Sequence, residues 1–213
     1  MTCNRALFEL TVDLILLSEG GPIHTPERMY SWEQSAKLKA AEATLTYYSQ
    51  ADRSVPEIFA ARVDFIRRKK KDVENQRRTF WSSTHPNRWT GSGLSVDAKR
   101  ADELRAREIS EDLDTSLLEF YETQMRRMHM TVHGSALALE RYLSPEGFHV
   151  VCVLAYKWST DLAVFCTKLI LTDLGFSTKL PELRDEWEKV KADRLVIYED
   201  YRPILSSDEE FEE

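Results

Sequence analysis

Seven cations crowd the stretch FIRRKKKDVENQRR, residues 65–78: Arg67, Arg68, Lys69, Lys70, Lys71, Arg77 and Arg78. Lys and Arg at that density bind anions, because a polyanion sheds its counterions when it meets them. Three partners suit the chemistry. Nucleic-acid phosphates are one. Anionic lipid headgroups are a second, each basic residue near a membrane surface contributing roughly 1 kcal/mol. A nuclear-import receptor reading RRKKK is the third. The bland alternative is a solvated helix face balanced by acids elsewhere in the fold. Between Phe59 and Trp81 the net charge is +5, in a chain whose total is −7, so the remainder carries −12. The last eight residues, SSDEEFEE, hold −5 of that. Within them Ser206 and Ser207 each precede an acid by three positions (Glu209 and Glu210), a pattern acidophilic kinases accept. Both are candidate regulatory phosphorylation sites. The opposed charges predict that this tail folds over the basic helix and competes with its ligand.

Other groups with chemical potential are sparser. His129 and His133 stand four apart on one helical face, with Glu122 and Glu140 at seven-residue steps on the same face. Glu146-Gly-Phe-His149 adds one Glu-x-x-His. A di-metal helical bundle needs that motif twice with two further acids facing it, so no metal site is assigned. Asp161 lies inside the most apolar segment, four residues after Lys157, and ion pairing between the two is the expected reason it is tolerated. No serine or cysteine has the neighbourhood of a nucleophile, and no glycine-rich phosphate loop occurs. No catalytic residue, cofactor or small-molecule substrate is therefore assigned.

Arg78 and His85 have six residues between them, and Arg127 and His133 have five. This spacing resembles the loose Arg–His motif of the helical HEPN ribonucleases. The resemblance is confined to those pairs: His85 precedes Pro86 in a predicted loop, and no polar residue directly follows Arg127. It implies RNA cleavage as an alternative function, with His133 the better placed histidine.

The elements that must position these groups are helical. Apolar residues form 42% of 213, enough for a core. Seven glycines and seven prolines are too few for a sheet of many tight turns. The segment Cys3–Leu17 is apolar on most sides. Thr25-Pro26 reads as an N-cap with proline at the first helical position, opening Pro26–Ala51 with Met29, Trp32, Ala36, Ala40, Ala43 and Tyr47 on one stripe. Ser54-Val-Pro-Glu57 matches a capping box and opens the basic helix, which runs to about Trp81. Its apolar stripe is Phe59, Val63, Ile66, Val73 and Phe80. Ser82–Ser95 is the clearest loop and is expected to be flexible. Val96–Leu143 reads as one very long helix or two broken near Gly134, in one long hairpin with the basic helix; its first half either projects as a coiled coil or packs against that helix, and a dimer of two copies through Val96–Leu118 is expected. Ser144-Pro145 starts the apolar helix Phe148–Leu174, Gly175 caps it, and a last helix spans about Pro181–Tyr201.

The expected fold is an all-α bundle of about six helices in one domain, 1–205, followed by a disordered acidic tail, 206–213. The apolar helix is interrupted by Lys157, Asp161 and Lys168, so no membrane span is expected. The first residues lack a secretory leader, and the odd cysteine count (Cys3, Cys152, Cys166) fits a reduced compartment. A cytoplasmic or nuclear location is expected. The leading functional expectation is a non-enzymatic adaptor or complex subunit whose basic helix contacts an acidic partner or nucleic acid. A protein partner or homodimer is expected beside it, and a membrane-surface module is the remaining alternative.

Overall fold

The structure, a computed structural model, describes residues 2–81, 86–113, 115–125 and 145–192. Every regular element among these residues is a helix and none is a strand, so the chain is an all-α protein. Contacts gather in two compact units, Met1–Glu19 with Ala98–Glu213, and Gly20–Asp97. The acidic tail, Ser206 and Ser207 included, lies outside the described residues.

The first unit is organised by α1 (Thr2–Glu19) lying along α7 (Pro145–Asp173). Phe8, Val12, Ile15 and Leu16 are fully buried, and Leu162, Phe165, Cys166 and Leu169 nearly so. Both sets recur every three or four residues, the spacing that keeps side chains on one face of a helix. Burying each such side chain stabilises the fold by roughly 1.5–3 kcal/mol. Phe8 stacks on Phe120 at 5.3 Å, and Phe120 meets the edge of Trp158 at 5.4 Å. Thr11 donates its hydroxyl proton to the Leu7 carbonyl at 2.8 Å, which leaves the oxygen as acceptor for Cys166 Sγ, also 2.8 Å away. Burial pushes the Cys166 thiol above its ordinary value, so it packs as an inert thiol. The expected Lys157–Asp161 pair forms at 3.8 Å. Gly175 ends α7 as expected. Its φ of +76° is left-handed, and Phe176 N–H closes the turn on the Leu171 carbonyl at 2.7 Å.

The continuous helix expected from Val96 is broken into α4 (Leu94–Leu104), α5 (Ala106–Asp112) and α6 (Leu117–Phe120), the last running into a π-helical turn over Tyr121–Met125. A pair of polar anchors fixes the break between α5 and α6. The Asp102 carboxylate accepts the amides of Leu117 at 2.8 Å and Leu118 at 2.9 Å, so α6 begins on a side chain fifteen residues earlier. Ser116 accepts the Glu119 amide at 3.1 Å and forms the N-cap. Leu113 between them is extended, with φ −118° and ψ 140°. Residues 126–144, with Gly134, lie outside the described residues.

The second unit is a helical pair, α2 (Pro26–Gln50) along α3 (Ala60–Phe80), closed by the segment 86–97. Thr25 caps α2 by accepting the Arg28 amide at 3.3 Å, with Pro26 at the first position, as its sequence predicts. Two other expectations are corrected. Ser54 does not cap α3: residues Glu57–Phe59 form a 3-10 turn first, and no side chain caps the helix. The buried positions of α2 are Ser31, Ser35, Leu38 and Ala41, on the opposite side from the alanine-rich stripe, where Tyr47 is 60% exposed. Small residues surround much of this helix, so their pattern alone does not choose a face. The segment 86–93 is stitched down where flexibility was expected. Arg28 donates from Nε to the Trp89 carbonyl at 3.0 Å and from Nη2 to the Thr90 carbonyl at 2.9 Å, while its guanidinium lies over the Trp81 ring. Asp97 accepts from Arg88 and from Thr90, each at 2.7 Å. Gly91 takes φ +83°, and a Cβ there would stand 3.1 Å from Arg28 Nη2.

Candidate anion-binding site

All seven cations singled out in the sequence lie on α3, but the fold divides them. Arg68 is ion-paired with Asp64 one turn earlier. Lys70 donates to Glu42 of α2 at 2.8 Å and stands 4.0 Å from Glu74. The Glu42 carboxylate, by hydrogen bond and then by charge, holds the Lys70 ammonium above its usual value. Arg77 is half-buried. Arg67, Lys69, Lys71 and Arg78 are exposed and have no carboxylate partner among the described residues.

Helical geometry sorts those four further. At about 100° per residue, Arg67, Lys71 and Arg78 fall within roughly 40° of one another and form a line along the outer face. Val73, the buried residue of α3, points well away from that line. Lys69 lies on the other flank, where α2 and α3 leave an open groove of about 740 Å³. Tyr30 and Gln34 of α2 line it with Phe65, Lys69, Asn75 and Gln76 of α3, and beyond Tyr30 and Gln76 a second hollow carries it on toward Thr79 and Phe80. The arrangement therefore offers fixed positive charge along one ridge, with aromatic and amide side chains beside it.

The groove side of this site involves residues with no charge to mark them in the sequence. Tyr30 falls off the stripe assigned to the core of α2, and Phe65 falls off the apolar stripe of α3. For Phe65 that offset is the signal; for Tyr30 the alanine-rich stripe is no guide, because α2 buries the opposite side. Conversely, Trp89 and Trp81, adjacent to the basic stretch and able in principle to stack on bases, are core: Trp89 is 2% exposed and meets His24 edge-on at 5.7 Å.

The remaining candidates are not assembled by the described structure. Glu122 is half-buried in the π-helical turn, and His129, His133, Glu140 and Arg127 lie outside the described residues, as does His85. The side chains of Glu146 and His149 lie outside them too. Arg78 is at the exposed end of α3. Among the described residues no group of three His, Cys, Asp or Glu side chains is arranged to hold a metal ion, and no helix is long and apolar enough to cross a membrane. The HEPN-type pairs are thus untouched by the geometry.

No curated protein and no solved structure matches the chain. Residues 1–149, which include the whole of α3 and its groove, match the model of a family of unknown function (DUF5677), and the chain belongs to that family.

Proposed function

We propose that this protein is a non-enzymatic interaction protein that uses α3 to bind a polyanion. The observation that carries the reading is the set Arg67, Lys69, Lys71 and Arg78: four exposed cations on one helix with no neutralising carboxylate among the described residues. A merely solvated basic face would be expected to pair its charges as Lys70 and Arg68 do. Nothing in the described structure competes for these four, so an incoming anion meets no ion pair that must first be broken. Counterion release then supplies the affinity, and each contact adds to its salt dependence.

The test is retention on heparin against a salt gradient. Wild type is expected to elute well above the salt at which a neutral-surfaced protein of this net charge would, and Lys69→Glu/Lys70→Glu/Lys71→Glu to elute near the void. Equal elution of the two rejects the reading. A role as an adaptor or subunit inside the cell accords with this chemistry, since nucleic acids and acidic proteins are the abundant intracellular polyanions.

A further inference from the structure

We infer that the groove between α2 and α3 is a binding site for single-stranded nucleic acid, with Tyr30 and Phe65 as stacking platforms for its bases and the cations of α3 holding its phosphates. The inference rests on the anion-binding reading and names the polyanion.

The aromatic residues of this unit carry the argument. Tyr47 packs against Tyr48, Tyr48 against Phe59, Phe80 against Trp81 and His24 against Trp89, while Arg62 covers Phe59 and Arg28 covers Trp81. Trp32 is tied through its indole N–H to the Pro86 carbonyl at 3.0 Å. Tyr30 and Phe65 differ: neither makes a ring–ring or ring–cation contact among the described residues, and both line the same groove. Tyr30 is 56% exposed although a buried tyrosine would stabilise the fold more. Two rings without an aromatic or cationic partner, Tyr30 exposed and Phe65 half-buried, line one groove, and such rings are what bases stack on without regard to sequence.

The polar lining agrees. Gln34, Asn75 and Gln76 each carry an amide that can donate and accept, the pairing that base edges take, and the one carboxylate of this lining, Asp72, stands among the cations Arg68 and Lys69. Lys69 stands in the groove and the line Arg67, Lys71, Arg78 runs beside it, so bases and phosphates find separate flanks of one helix. A groove meant for an amphipathic helix would instead be lined by aliphatic anchors at helical spacing; here the aliphatic Val73 is 4% exposed and offers little surface. From Ala61 to Thr79 α3 rises roughly 27 Å, which a strand of about eight nucleotides spans at 3.4 Å each.

The probe is a fluorescent eight-nucleotide single strand, as RNA and as DNA, titrated by anisotropy against the full chain, with heparin elution measured in parallel. Tyr30 is exposed, so Tyr30→Ala is expected to fold. It should weaken strand binding by about tenfold, the lower half of what one lost base stack removes, with heparin elution unchanged. Tyr30→Phe keeps the ring and should keep the affinity. Lys69→Glu/Lys71→Glu should lose both strand and heparin. If Tyr30→Ala binds the strand as wild type does, or if a polyglutamate peptide of equal charge displaces the strand from wild type and from Tyr30→Ala at the same concentration, the groove inference is wrong while the anion-binding reading stands. If wild type holds neither heparin nor strand, the anion-binding reading itself is wrong.

Discussion

The two helical pairs of this protein are built on opposite terms. Where α1 meets α7, large side chains interdigitate: Phe8, Val12, Ile15 and Leu16 against Leu162, Phe165 and Leu169, with even the polar Thr11 and Cys166 satisfied by each other. Where α2 meets α3, the buried residues are Ser31, Ser35, Leu38, Ala41 and Val73, and the large rings stand at the edges or in the groove. Hydrophobic burial scales with apolar area, so the first pair concentrates stability. The second has a thin seam, held by Lys70 and Arg62 of α3 through hydrogen bonds to the Glu42 carboxylate and the Thr44 hydroxyl of α2, while Arg28 of α2 lies over Trp81 where α3 ends. A thin seam leaves side chains on the surface that a thicker one would have consumed. That contrast is why the candidate site lies on α3.

Damage to each seam tests this contrast directly. Phe165→Ala is expected to cost about 3–5 kcal/mol in urea unfolding, since the site is 1% exposed and its neighbours cannot collapse into the gap. A loss below about 1 kcal/mol would mean that α1 and α7 are not the stabilising pair. Arg28→Met comes next, at about 2 kcal/mol, because the Trp89, Thr90 and Ile23 carbonyls each lose a charged donor. Its signature is local: Trp89 fluorescence should shift toward that of an exposed indole while amides of α1 keep their hydrogen-exchange protection.

Asp102→Asn is expected to cost about 1 kcal/mol, as an amide oxygen can accept only one of the two α6 amides well. Its pH dependence is more informative. Burial raises the Asp102 carboxyl above its ordinary 3.8, against the pull of the Leu118 and Leu117 amides and Ser116. The folded state therefore holds that proton more tightly than the unfolded chain does. Stability from this source is complete below the unfolded value and is lost as pH rises through the folded one. Asparagine does not titrate, so the advantage of wild type over Asp102→Asn should shrink as pH climbs from 3.8 upward. An advantage that grows instead would mean that the two amide bonds outweigh burial. The smallest effect on stability belongs to Lys71→Glu. Its urea midpoint should match wild type, while its heparin elution falls to lower salt, which separates the binding ridge from the fold.

Much of the fold is legible in the chain because helices are local. The apolar periodicity of α1 and α7, the Thr25-Pro26 start and the Gly175 stop each act within a few residues, and the structure has all of them. Ser-x-x-Glu shows where local reading ends. Ser54–Glu57 and Ser116–Glu119 carry the same signature, yet only Ser116 caps a helix. The difference is Asp102, which brings two further acceptors to the start of α6 from fifteen residues away. The break between α5 and α6 is fixed by that anchor, which no window of a few residues contains.

For the candidate site, which helix is basic, how many cations it bears and that they cannot all face one way are legible in the chain, since charge and helical pitch are local properties. Which of them remain unpaired depends on how the helices pack. Glu42 and Lys70 are 28 residues apart and meet because α2 lies along α3. The same packing leaves Tyr30 and Phe65 facing a shared groove. Pairing of charges and sharing of a groove depend on distance through space, and distance along a helical chain does not encode it until the helices have packed.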